Sequence, residues 1–247
     1  MEVHAHSHTP RKKWTHYFWE FLMLFLAVFC GFLAENFREH QIENQRGKKY
    51  IQSLIKDLKN DTVEIRSVIS YNIIKFRGLD TLATLLNQPI LSEEDEKALY
   101  RLNSTYASNI YTLGFNDRTI RQLLNSGNMR LLKQSISDSI MNYCGQPKDE
   151  ILGQEKVYEE MSRRLIFSAE DIFDNSASMK KMNSDSSFYR DIRKEKMKLI
   201  TKDKNVLRKY SQMIITARSM LGNYLSMLFE MKKAGGNLLV FLENEYK

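Results

Sequence analysis

The chain is 247 residues long with a formal net charge of +7, and its 27% charged residues mix both signs instead of gathering lysines on one motif. That mixing speaks against a dedicated nucleic-acid binder and suits a solvated helical surface beside an anionic membrane. Cys30 and Cys144 form no obvious pair, and no histidine follows His40, which removes the commonest general base from the rest of the chain.

Residues 1–13 read as a flexible polar tail with His4, His6 and His8 in alternation. Imidazoles so placed are weak ligands for zinc, nickel or copper, with His16 as a fourth donor. No cysteine or carboxylate cluster completes a site there, so neither metal nor other cofactor is expected.

Residues 14–37 form the dominant feature, an apolar run bracketed by aromatic clusters. As a helix, the stretch from Lys13 to Arg38 rises about 36 Å, enough to cross a hydrocarbon core of about 30 Å. Phe32 spoils a small-residue cleavage pattern around Ala34, and Phe29 before Cys30 does not suit a lipoprotein signal. An uncleaved signal anchor is the expectation. Arg11, Lys12 and Lys13 form a tight basic cluster before the run, whereas Arg38, Arg46, Lys48 and Lys49 after it are mixed with Glu35, Glu39 and Glu43. The tighter cluster favours a cytoplasmic N-terminus and a body outside.

Glu20 breaks the local rule, because an acid one turn inside the run is costly at membrane depth and marks a candidate for subunit pairing or ion conduction. Its bland alternative is an interfacial acid paired with His16. Ala27, Gly31 and Ala34 place small residues along one face, the pattern that lets helices approach closely in lipid. Glu35 and Asn36 at the far boundary either hydrogen-bond between copies or meet water.

Residues 38–49 read as a charged helical neck, with Gly47 costing about 1 kcal/mol of helix propensity. A stripe then runs through Ile51, Ile55, Leu58, Thr62, Ile65, Ile69, Asn72, Phe76, Leu79, Ala83 and Leu86 in steps of four and three, widened by Leu54, Val68, Ile73 and Leu82. That width suits a bundle better than a two-stranded coil. Asn87, Gln88 and Pro89 supply a stop, and Ser92 with Asp95 is a capping box opening a helix to about Ala107. Gly114 and Asn116 mark a turn. Two short helices with a corner at Gly127 follow, then a helix from Lys148 to about Phe173.

Residues 174–187 read as an exposed loop and 189–199 as a brief helix. The longest stripe runs through Val206, Tyr210, Met213, Ala217, Met220, Tyr224, Met227, Met231, Ala234, Leu238 and Phe241, with Ile214, Leu221 and Leu228 alongside. No proline follows Pro147, so this helix extends for roughly 60 Å and pairs antiparallel with the first. Its methionines read as adaptable core filler. No Walker loop, Rossmann fingerprint or His-Glu-x-x-His helix occurs.

The block Phe18, Trp19, Glu20, Phe21 and Leu22, continuing through Ala27, Val28 and Phe29 to Gly31, Phe32, Leu33, Ala34, Glu35, Asn36, Arg38 and Glu39, resembles the N-terminal signature of an uncharacterised bacterial family of single-pass membrane proteins. Ser126, Gly127, Asn128, Met129, Arg130 and Leu131 are similar to that family's internal segment. The resemblance implies an N-terminal anchor with a helical domain and no assigned activity, and it makes Glu20 part of a recurring block.

The expected fold is all-α: an N-terminal transmembrane helix continuing through the neck into an elongated helical bundle, residues 50–247, with two long helices and several short ones. The expected function is a membrane-anchored interaction or scaffold module of the bacterial envelope, sensor-like and without catalysis. The alternative is an oligomeric membrane component of a transport or channel assembly using Glu20. Expected partners are the lipid bilayer and a protein partner or homo-oligomer, with no nucleic acid and no small-molecule substrate identified. The expected location is the bacterial inner membrane, single-pass, with the C-terminal domain periplasmic.

Overall fold

The computed structural model describes residues 14–107, 111–174 and 199–246. The chain divides into two compact units, Met1–Tyr50 and Ile51–Lys247. Helix α1, Trp14–Leu86, runs unbroken for 73 residues. No proline lies between Pro10 and Pro89, and Gly31, Gly47 and Gly78 are its only glycines. It is long and apolar enough at its N-terminal end to cross a membrane, and no residue of its most apolar 18-residue window is buried. At its other end the Asn87 side-chain amide donates to the Ala83 carbonyl (2.8 Å) and to Ser211 Oγ (2.6 Å), which stops the helix and ties it to the last one.

Helix α2, Glu93–Leu102, opens with the expected box: Asp95 N–H donates to Ser92 Oγ and Ser92 N–H donates to Asp95 Oδ2. Such a cap stabilises a helix by about 1 kcal/mol. Its end widens into a π-turn, Asn103–Ala107, where the Tyr106 ring lies against Gly78, so that a Cβ there would fall 2.2 Å from a ring carbon. An irregular stretch, 111–117, leads to α3, Arg118–Asn125. Gly127 takes the left-handed conformation at φ +66°, which makes the corner, and a 3-10 turn, Asn128–Leu131, precedes α4, Gln134–Cys144. The second short helix therefore starts about five residues later than its apolar pattern begins. Only Gly145 separates α4 from α5, Gln146–Glu170, which carries Pro147 in its first turn, where a missing N–H costs nothing.

The sequence-predicted loop and brief helix lie outside the described residues apart from their ends, Asp174 and Leu199. There Leu199 bridges Phe173 antiparallel, and Ile200 N–H donates to the Ile172 carbonyl at 2.8 Å. No strand of a sheet occurs among the described residues. Helix α6, Lys204–Glu245, is capped by Asp203, whose Oδ1 accepts from Asn205 N–H at 2.7 Å. It runs antiparallel to the 51–86 part of α1: Ser211 meets Asn87, Arg218 lies 2.9 Å from Asp80, Gly222 faces Phe76, and Lys59 pairs with Glu243 at 2.7 Å.

The core lies between these two helices, α5 and the shorter ones. On α6 its central row is Tyr210, Ile214, Ala217, Leu221, Tyr224, Leu228, Met231, Leu238 and Leu242. Val206, Met213, Met220, Met227, Ala234 and Phe241 are only half-buried. Tyr210, Ala217, Tyr224, Met231 and Leu238 belong to the stripe read as the main one, and Ile214, Leu221 and Leu228 to the row read as running alongside. The burial centre falls between the two because α6 has neighbours on more than one side. At one end Tyr100, Phe173 and Tyr210 meet edge to face, with centroids 5.7 and 6.1 Å apart.

Candidate functional site

The residues singled out in the apolar stretch, Glu20, Ala27, Gly31, Ala34, Glu35 and Asn36, are all exposed. Helix periodicity fixes their neighbours. His16 Nε2 lies 3.1 Å from Glu20 Oε1 one turn away, and Arg38 donates from two nitrogens to Glu35, at 3.1 and 2.5 Å. Nothing approaches within 4 Å of where a Gly31 Cβ would stand. The rings of Phe21, Phe25 and Phe29 stack along the helix at 6.3 and 5.9 Å. The structure does not bring Glu20 near Glu35 or Asn36, which lie about 22 Å further along at 1.5 Å per residue. The stretch offers surface, an imidazole–carboxylate contact and one ion pair, not a convergent reactive site.

In the body, three acids on successive turns of α1 form a seam that counting apolar residues misses. Backbone amides of the irregular 111–117 stretch have no helical partners and must find acceptors. Glu64 accepts from Gly114 N–H (2.9 Å), Asp61 from Asn116 N–H (3.2 Å), and Asp57 from the Asn116 amide (3.1 Å) and the Thr119 hydroxyl (2.5 Å). Asn72 donates to the Tyr111 carbonyl at 3.2 Å. From the other side, Glu155 of α5 accepts from Leu113 N–H (2.8 Å) and from the Tyr224 hydroxyl (2.6 Å), while Lys148 pairs with Asp117. Burial raises the Asp61 carboxyl to about 6, against the opposing Asn116 hydrogen bond and with help from the charges of Asp57, Glu64 and Asp117. Burial also pushes Asp117 upward, but Lys148 and Arg121 outweigh it and hold that carboxyl below its usual range.

Lys75, also on α1, is 1% exposed, and its ammonium has no hydrogen-bond acceptor. It sits 5.0 Å over the Tyr158 ring, a cation–π contact, and burial lowers it to about 8. Tyr158 also lines a cavity of about 10 Å³ with Asn72, Tyr111 and Glu155. That volume is at the lower limit for one water and admits no organic ligand. A wider groove of about 300 Å³ opens between α4 and α6, lined by Ser139, Asn142, Tyr143, Asn237, Leu238 and Phe241. Gly235 makes room for the Tyr143 ring, 3.1 Å from where its Cβ would be, and the buried Tyr143 hydroxyl has no partner. Amides and a phenol are groups that bind or pack, and the Ser139 hydroxyl donates to the Ser135 carbonyl at 2.7 Å with no base among these lining residues.

The available signal for Lys75 and Asp61 was spacing. Asp61, Ile65, Val68, Asn72, Lys75, Leu79 and Leu82 keep the four-three rhythm and are all buried, whereas Thr62 and Phe76, the residues next to the two charged ones, are half-buried. Among the described residues no group of three His, Cys, Asp or Glu is arranged to hold a metal ion, and His4, His6 and His8 lie outside them. Compared with protein-family models, curated proteins and solved structures, the chain matches none.

Proposed function

We propose that the chain is a membrane-anchored helical module of the bacterial inner membrane, held by the N-terminal stretch of α1 and acting through protein contacts of its body, as a scaffold or sensor-like unit without catalysis. One observation carries this reading. The 18-residue apolar window of α1 has no protein burial, yet the same helix continues unbroken into a packed core. An apolar surface of that length is unfavourable in water, and a bilayer removes the penalty. Trp14, Tyr17 and Trp19 at one end suit the membrane interface. The N-terminal basic cluster favours a periplasmic body, and the likeness of the block around Glu20 and Asn36 to a bacterial single-pass family supports the compartment.

The test is cell fractionation combined with topology and crosslinking. The chain is expected to stay with the membrane through alkaline carbonate extraction, and reporters fused after Lys49 and at Lys247 are expected to be active only outside the cytoplasm. Crosslinking is expected to copurify a protein partner. Release by carbonate overturns anchoring, cytoplasmic reporter activity overturns the orientation, and a chain recovered only as an isolated monomer overturns the interaction role.

The adjacent titratable pair His16 and Glu20 favours a second reading, a span assembly that conducts ions past Glu20. Unchanged ion flux in Glu20→Gln vesicles would remove it.

A further inference from the structure

The irregular 111–117 stretch is tied down chiefly by acids. Its amides have no helix or sheet to pair with, so Leu113 N–H donates to Glu155, Gly114 N–H to Glu64 and Asn116 N–H to Asp61. The Asn116 side chain and the Thr119 hydroxyl just beyond it both donate to Asp57. Gly114 lets the backbone lie close, since a Cβ there would fall 2.8 Å from Glu64 Oε1. Asn72 adds a neutral bond, to the Tyr111 carbonyl. The counter-charge is lopsided. Lys148 of α5 and Arg121 of α3 both pair with Asp117, and among the described residues no Lys or Arg pairs with Asp57, Asp61 or Glu64. Asp61 is faced by Asp57 and Glu64 from its own helix, by Asp117 from the stretch and by the Tyr143 phenol from α4. Protonation of Asp61 keeps an oxygen that accepts from Asn116 and removes the repulsion.

We propose that the 111–117 stretch is a pH-sensitive latch on the body, closed against α1 while Asp61 holds a proton and released as Asp61 ionises. Release bares Asp57, Asp61 and Glu64 as one acidic strip on successive turns of α1. The latch lies in the body and works whether or not α1 enters a bilayer. With the stretch in place burial raises the Asp61 carboxyl to about 6, and water reaching it returns it towards 3.8. The closed form therefore binds the extra proton between these limits and loses ground as pH rises. The open fraction should grow about tenfold from pH 5 to pH 7.

Hydrogen–deuterium exchange of the full chain in detergent, read by mass spectrometry on peptides spanning 111–117 and corrected for the intrinsic pH dependence of exchange, tests the latch. Wild type should show the tenfold rise. Asp61→Asn should flatten the profile and keep the stretch protected at pH 7, whereas Glu155→Gln, on the other side of the same stretch, should keep the slope. Amides of α6 around Leu221 and Leu228 should exchange far more slowly, which separates opening of the latch from unfolding of the body. Equal rates in the stretch and α6, a flat wild-type profile, an unchanged slope in Asp61→Asn, or a slope lost in Glu155→Gln would overturn the proposal.

Discussion

Residues 14–37 and 51–86 belong to one helix yet invert each other's exposure. In the first stretch Phe21, Leu24, Phe25 and Phe32 have solvent where neighbours would be expected. In the second, Asp57, Asp61, Asn72 and Lys75 are buried beside Leu54, Leu58, Leu79 and Leu82. A long helix sets only which residues share a face; what lies against that face decides whether composition and burial agree. The first stretch is a surface waiting for an apolar medium, and the second keeps Asp57 and Asp61 inside because Asn116 and Thr119 need acceptors, Asn72 because it donates to the Tyr111 carbonyl, and Lys75 over the Tyr158 ring.

The contrast should appear most strongly in truncation. Leu79 is fully buried, and Leu79→Ala should cost about 2–5 kcal/mol of body stability through lost burial and the cavity left behind. Leu24→Ala, at a 68% exposed position, should leave the body's unfolding midpoint unchanged. Urea unfolding in detergent, followed by circular dichroism, checks both, and similar losses would erase the distinction between the stretches.

Next in size is Lys75. Its folded value, lowered by burial from 10.5 to about 8, means that the unfolded chain binds the extra proton between those limits, so this group's contribution to stability rises with pH across that window. Lys75→Met keeps the volume and removes the unpaired charge, and it should raise stability near pH 7 by about 2 kcal/mol. Its advantage should shrink as pH climbs from 8 towards 10.5. A destabilised Lys75→Met chain would mean that the contact with Tyr158 outweighs desolvation.

The two stretches were unequally legible. The helix lengths, the box at Ser92 and Asp95 and the corner at Gly127 could be read because proline spacing, capping chemistry and left-handed glycine are local properties. Glu20, Ala27 and Gly31 stood out because they interrupt an apolar run. Asp61 and Lys75 did not, since a count of apolar residues moves the stripe to the neighbouring Thr62 and Phe76. Gly235 and Ser211 on α6 are hidden in the same way: both are buried, and neither adds an apolar side chain to the pattern. The spacing of Asp61 and Lys75 fits the buried row, but the partners that keep them there, the Asn116 amide for Asp61 and the Tyr158 ring for Lys75, come from distant segments that spacing does not name.

The smallest effect sharpens the point from the acidic side. Burial raises the Asp61 carboxyl from its ordinary 3.8 to about 6, so the folded chain binds the extra proton between these limits and this group's contribution to stability falls as pH rises from about 4 to 6. At pH 7 the full cost remains, because burial beside Asp57, Glu64 and Asp117 opposes the charge that the Asn116 N–H bond only partly stabilises. Asp61→Asn retains an oxygen for that amide while removing the charge. It should stabilise the body at pH 7 by about 1–2 kcal/mol and show no advantage below pH 4, as read from unfolding midpoints across that range. The opposite sign at pH 7 would show that Asp61 is held as a carboxylate by the seam. Its burial would then resemble that of Asp117, where Lys148 and Arg121 supply the compensating charge.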